Sequence, residues 1–164
     1  MLNQSQQAEP FHSGEIFHLW SFLLSTKEYL VTLQVLNNHA GDQDLKDFLD
    51  DIYENGYTPE EEQVENILKN AGIRLPPAPP DRPNVEVEDI PAGARFNDPE
   101  IANLIQRELM VSKMICSYIM GICVQEDIKN LFGEFHTLKE EYDLKLAKLR
   151  KEKGWAISPP INVK

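Results

Sequence analysis

This chain has only two cysteines, no surplus of positive charge, no Gly-rich phosphate loop and no apolar run long enough to span a bilayer. Each shortage removes a class of function. Cys116 and Cys123 fall seven positions apart on one predicted helix, which separates their Cα atoms by about 10 Å, beyond the reach of a disulfide. They read as reduced core thiols. Acidic residues outnumber basic ones 27 to 16, for a formal charge of −11. That is a poor match to a phosphate backbone or an anionic membrane, so no nucleic-acid partner is expected. The opening MLNQSQQAEP has neither a basic start nor an apolar signal core. With no membrane span in view, these features point to a soluble, cytoplasmic protein. Cys/His clusters at zinc spacing and a nucleophile elbow are also missing, and Thr26, Ser117 and the other hydroxyls have no evident base beside them. No catalytic residue is assigned, and an enzyme is the less favoured class.

What is present is helix. The 164 residues, 41% hydrophobic, suffice for one core and one domain, 1–164. Apolar spacing predicts an all-α fold with helices over 11–38, 42–71, 98–123 and 126–153, and a Pro-rich crossover over 73–97. A helix pair, a long crossover and a second pair is the outline of a ferritin-like four-helix bundle. The first helix, with Ser13 as a possible N-cap, carries its stripe through Ile16, Leu19, Leu23, Leu30 and Leu33. Phe17, Trp20, Phe22, Leu24 and Val31 widen that stripe beyond a simple amphipathic face, as in a central helix or a subunit interface, and a homodimer is expected.

In the second helix Asn55-Gly56 reads as a stop and Thr58-Pro59-Glu60-Glu61 as a capping box, so a kinked or two-piece helix is expected. Leu75 to Pro83 holds enough proline to travel as a stiff extended strap back along the bundle. Asp98-Pro99-Glu100 opens the third helix, with a predicted stripe of Ile101, Leu104, Val111, Ile115, Tyr118 and Ile122. The fourth repeats through Ile128, Leu131, Phe135, Leu138, Tyr142 and Leu149. The two stripes differ by roughly 170° at about 100° per residue, so a turn is required between Gly121 and Asp127. Gly154 closes the last helix, and a Trp155 to Pro160 tail is expected to fold back.

Ferritin-like metal sites draw a Glu-x-x-His from each of two helices and a single carboxylate from each of the others. Glu15-Ile16-Phe17-His18 fits that spacing. Glu134 and His136, two apart, point roughly 200° apart around their helix and do not complete a second such motif. His136 and Glu140 are spaced to share a ligand or hydrogen bond. Glu108 occupies a stripe position, where an unpaired charge is expensive and a lysine, a tyrosine hydroxyl or water is expected to satisfy it. In a crossover bundle it lies near the level of Glu28, on the order of 15 to 20 Å along the axis from Glu15. His12 with Glu15 reads as a partly buried pair anchoring the helix start and the C-terminal tail. The metal candidates are thus His12, Glu15, His18, Glu108, Glu134 and His136, for iron or manganese. The bland alternative requires no cofactor. The acidic stretch from Asp42 to Glu65 reads as a solvated face, and a pocket for a small apolar ligand between the helices is a further possibility.

Several strings carry a resemblance: His12-Ser13-Gly14-Glu15 with Leu19-Trp20, Ala71-Gly72-Ile73-Arg74-Leu75-Pro76-Pro77 leading into Pro79-Pro80-Asp81-Arg82-Pro83, Ile90-Pro91, Glu100-Ile101-Ala102-Asn103, Phe135-His136, and Gly154-Trp155 with Pro159-Pro160. With them the chain resembles the uncharacterised ferritin-like family related to spore coat protein F of endospore-forming bacteria, from about His12 to Pro160. The resemblance implies a four-helix ferritin-like domain without established enzymatic activity, deposition in the spore coat or a role in the sporulating cell, and a coat or other protein partner. It supplies no ligand assignment. Tyr57-Thr58-Pro59 departs from relatives whose second helix looks continuous.

Overall fold

The structure, a computed structural model, describes residues 10–160; residues 1–9, on which the reading of the N-terminal segment rests, lie outside the described residues. The regular structure among the described residues is helical, with no strand. The helices are α1 (Ser13–His39), α2 (Gln43–Asp51), α3 (Thr58–Asn70), α4 (Asp98–Ile122) and α5 (Glu126–Glu152), with a π turn over Ile52–Tyr57 joining α2 to α3. None is long and apolar enough to cross a membrane.

Direction follows from the contacts at the helix ends. Asp98 at the start of α4 accepts from the Gly41 N–H at the end of α1 (2.8 Å), so α4 runs back along α1. Val124, between α4 and α5, reaches Glu15 near the start of α1, and Lys153 at the end of α5 meets Asp42. Hence α1 and α5 run one way, and α2–α3 and α4 the other.

The proline strap lies along α1. The Trp20 indole donates to the Arg74 carbonyl (2.9 Å), Gln34 bonds Asp81 and the Arg82 N–H, and Asn38 bonds the Pro83 carbonyl and the Val85 N–H. From Trp20 to Asn38 a helix climbs about 27 Å, and from Arg74 to Pro83 a polyproline-like chain covers about 28 Å. The equal lengths let side chains of α1 hold a segment poor in N–H donors. The turn between α4 and α5 falls at 123–125, inside the interval that the swing of the apolar stripes required.

Four local expectations are corrected. The N-cap of α1 is His12, not Ser13: its Nδ1 accepts from the N–H groups of Gly14 and Glu15, while Glu15 accepts from the His12 N–H. The second helix does not break at Asn55-Gly56. Backbone angles stay right-handed from Ile52 through Thr58, and the Thr58 N–H reaches the Tyr53 carbonyl. A π turn absorbs one extra residue without ending the helix, and the Thr58 hydroxyl bonds back to Tyr53 (2.8 Å) where a capping role was expected. Gly56 makes this possible, since a Cβ there would lie 3.1 Å from Ile52 and 3.2 Å from Tyr142. The tail is also split: Trp155 packs against the core, whereas Pro159 and Pro160 are exposed.

The fourth correction concerns which face is buried. On α4 the core takes Ile101, Ala102, Ile105, Leu109, Ser112, Cys116 and Ile119, whereas Val111, Ile115 and Tyr118 of the predicted stripe are exposed. On α5 Ile128, Phe135 and Tyr142 of the predicted stripe are buried, and Phe132, Lys139 and Leu146 are buried beside them, while Leu131, Leu138 and Leu149 are only half-buried. Helix α4 is apolar on two adjacent faces, and the small residues Ala102, Ser112 and Cys116 let the less bulky one approach its neighbours. The core is accordingly two clusters. One holds Leu33, Ile52, Ile105 and Leu146, and the other Leu19, Val64, Cys116 and Phe132.

Candidate functional site

Where the second apolar face of α4 passes α1, a cleft of about 450 Å³ opens. Its walls are Phe22, Val111, Met114, Ile115, Tyr118 and Ile119. Ser21 and Ser25 on α1 are short enough to leave the space unfilled. His18, edge-on to the Tyr118 ring with centroids 5.0 Å apart, marks one end. Glu108, Ser112, Tyr29 and Tyr57 mark the other. The distance along α1 from His18 to Tyr29 is about 16 Å.

The polar end is built from three helices. Tyr57 enters from the π turn, its ring centroid 4.7 Å from that of Tyr29 and its hydroxyl 3.4 Å from the Ser112 Oγ. Ser112 donates to the Glu108 carboxylate (3.1 Å). The Tyr29 hydroxyl is buried and has no hydrogen-bond partner among the described residues. Burial, with Glu108 adding, pushes the Tyr29 phenol far above its ordinary value. Burial also raises Tyr57, helped by Tyr29, Glu108 and Glu60 and opposed by its bond to Ser112. Both phenols stay protonated.

Just beneath lies an ion pair absent from the sequence reading. Lys139 of α5 and Glu60 of α3, 2% and 1% exposed, bond to each other between the two core clusters. The ammonium lies 4.3 Å from the centroid of Tyr57 and 6.0 Å from that of Phe22. Burial holds Glu60 above the ordinary carboxylate value, with Lys139 pulling against it. A lysine flanked by Leu138 and Tyr142 looks like a solvated residue in a one-dimensional pattern. Its step of four from Phe135 was the signal that it belonged to the buried face. The acidic stretch of the second helix is likewise less solvated than expected: Glu61 and Glu65 clasp the buried Lys27 of α1 at 3.2 and 2.9 Å.

The metal candidates are scattered. His12 and Glu15 do meet, with Nε2 3.6 Å from the carboxylate, but both are occupied by backbone. His12 Nδ1 holds two N–H groups, and Glu15 accepts from His12, Val124 and Gln125. Burial alone would raise the Glu15 carboxyl, yet these donors outweigh it and hold its pKa below the ordinary carboxylate value. The pair pins the start of α1 to the α4–α5 turn, not to the C-terminal tail, because parallel α5 carries that tail to the opposite end. His18 is at the cleft end, and Glu108 lies beside Tyr29 at the other end. Glu134 is exposed on α5, and Glu140, considered as a partner of His136, instead pairs with Lys113 (2.5 Å). Among the described residues no group of three or more His, Cys, Asp or Glu side chains is placed to hold a metal ion. Cys116 and Cys123 are free and buried, and burial raises their thiols to about 12 and about 11.

Comparison with known proteins agrees over nearly the whole chain. It is 41% identical over 163 residues to the uncharacterised protein YvdQ of Bacillus subtilis (strain 168), covering 99% of this chain and 95% of that protein. It is similar in structure, at a TM-score of 0.92 and 40% identity, to a crystal structure described as "a putative spore coat protein" of Bacillus halodurans C-125, covering 96% of this chain and 99% of that one. A family model, described as a protein of unknown function (DUF3231), matches residues 1–164, and the chain belongs to that family.

Proposed function

We propose that this chain is a non-enzymatic structural or interaction protein of the spore coat or the sporulating cell, built on a ferritin-like four-helix bundle and self-associating as a homodimer. The observation that carries the reading is the exposed apolar ridge beside the cleft, where Phe17, Met114 and Tyr118 are 64%, 65% and 55% exposed and Met110 and Val111 stand beside them. A contiguous apolar patch of this kind marks an interaction surface, and a twofold dimer covers it by matching the patch to itself. The two-up, two-down helix order with one long crossover supports the ferritin-like assignment, and the name given to the Bacillus halodurans relative supports the location.

Light scattering tests the association. The wild-type chain is expected to be a dimer and Met114→Glu a monomer of unchanged helicity; a strictly monomeric wild type overturns the dimer. A fluorescent fusion in a sporulating Bacillus is expected at the forespore surface, and diffuse mother-cell fluorescence overturns the coat assignment. No cofactor is required by this reading. Stoichiometric iron or manganese in chelator-free protein, lost on Glu15→Ala, would replace it with a metal-binding one.

A further inference from the structure

The self-association reading uses the rim of the cleft and leaves its floor unexplained. Glu108 is half-buried among apolar walls, and its hydrogen-bond partner is the neutral Ser112. The other carboxylates closest to the core are provided for: Glu60 by Lys139, Glu65 by Lys27 and Lys69, Glu15 by backbone donors. Among the described residues no Lys, Arg or His pairs with Glu108. A hydroxyl has one proton to give. Since Ser112 gives its proton to Glu108, the Tyr57 hydroxyl is the donor in its contact with Ser112. The chain of hydrogen bonds therefore points at Glu108 and ends there. The Tyr29 oxygen nearby has no partner among the described residues. What this corner lacks is positive charge carrying several N–H donors.

We propose that the cleft binds an organic ammonium compound, its charged nitrogen seated between Glu108 and Tyr29 and its apolar body lying along Phe22, Val111 and Ile115 toward Tyr118. An ammonium brings donors for both the carboxylate and the phenol, and the two adjacent tyrosine rings add cation–π attraction. The 450 Å³ of space is in the range of small-molecule sites, and its length of about 16 Å suits an extended body. A bare metal ion is poorly served by one carboxylate, and an anion is repelled by it.

The test is a calorimetric titration of the full chain with 4-phenylbutylamine, set against the neutral 4-phenylbutanol and the anionic 4-phenylbutyrate. The amine is expected to bind saturably and tighter than the alcohol, and the carboxylate weakest. Glu108→Gln is expected to weaken the amine by about tenfold, the worth of one charged hydrogen bond, and to leave the alcohol unchanged. Ser25→Trp, which fills the cleft from α1, is expected to abolish binding of both. Absence of saturable amine binding, equal affinity for amine and alcohol, or full amine binding by either variant overturns the proposal. Melting temperatures of both variants show that a loss of binding is not a loss of fold, and light scattering alongside keeps the result separate from the self-association reading.

Discussion

Glu60 and Glu108 are both carboxylates set against apolar surroundings beside Tyr57, yet they have opposite environments. Glu60 is sealed between the core clusters and paired with Lys139; Glu108, on the cleft face of α4, has a hydroxyl for company and no counter-charge among the described residues. A buried charge is tolerated only when its partner is buried with it. Glu60 therefore belongs to the architecture, and its energy resides in folding. Glu108 keeps contact with solvent through the cleft, so its missing partner is tolerable and its unused bonding capacity is available to something outside the chain.

The largest effect should come from breaking the sealed pair. Lys139→Met leaves Glu60 buried and uncompensated, and a loss of about 3–5 kcal/mol is expected in urea unfolding. Glu60→Leu with Lys139→Met should recover most of that loss, whereas a double variant as unstable as the single one would show that the pair positions α3 against α5 in some further way.

Next is Glu15, which shares with Glu60 full burial but draws its donors from backbone. Glu15→Ala orphans the Val124 N–H, which Glu15 holds at 2.6 Å, and about 1–3 kcal/mol should be lost. Because its folded pKa is held below the ordinary carboxylate value, the stability contributed by its ionised form is present above the unfolded value and is lost as pH falls through the folded one. Acid unfolding of Glu15→Gln should accordingly be shallower than that of the wild type as pH falls through the carboxylate range.

Gly56→Ala is expected to cost about 1 kcal/mol, since crowding against Ile52 and Tyr142 outweighs the gain in helix propensity. The smallest effect completes the contrast with Glu60. Glu108→Leu should change the unfolding free energy by no more than about 0.5 kcal/mol in either direction. A loss comparable to that of Lys139→Met would mean that Glu108 is as structural as Glu60 and that the cleft is not a binding site.

Local signals in the chain were legible where they acted alone. Asp98-Pro99-Glu100 opens α4 in a capping box with Asn97, the proline strap runs extended beside α1, and the stop at Ala71-Gly72 follows from a glycine at φ 71°. Where two signals competed, the sequence was ambiguous. Asn55-Gly56 and Thr58-Pro59 are turn residues in isolation, but Ile52 and Tyr57 on either side are wanted in the core, and burial kept the helix continuous through a π turn. On α4 two apolar faces have equal claim by periodicity, and no spacing rule says which one meets α5. His12 and Glu15 were visible as a pair, while the turn that Glu15 caps is more than a hundred residues away.

The amino-acid sequence by itself determined the helices, the strap and the charge, because periodicity, caps and proline act within a few residues of where they are written. Only the tertiary structure decided that Lys139 is core, that Glu108 has no counter-charge among the described residues, and that the second face of α4 opens as a cleft. Those outcomes depend on which helix packs beside which, and burial, not local spacing, sets the energy of a charge.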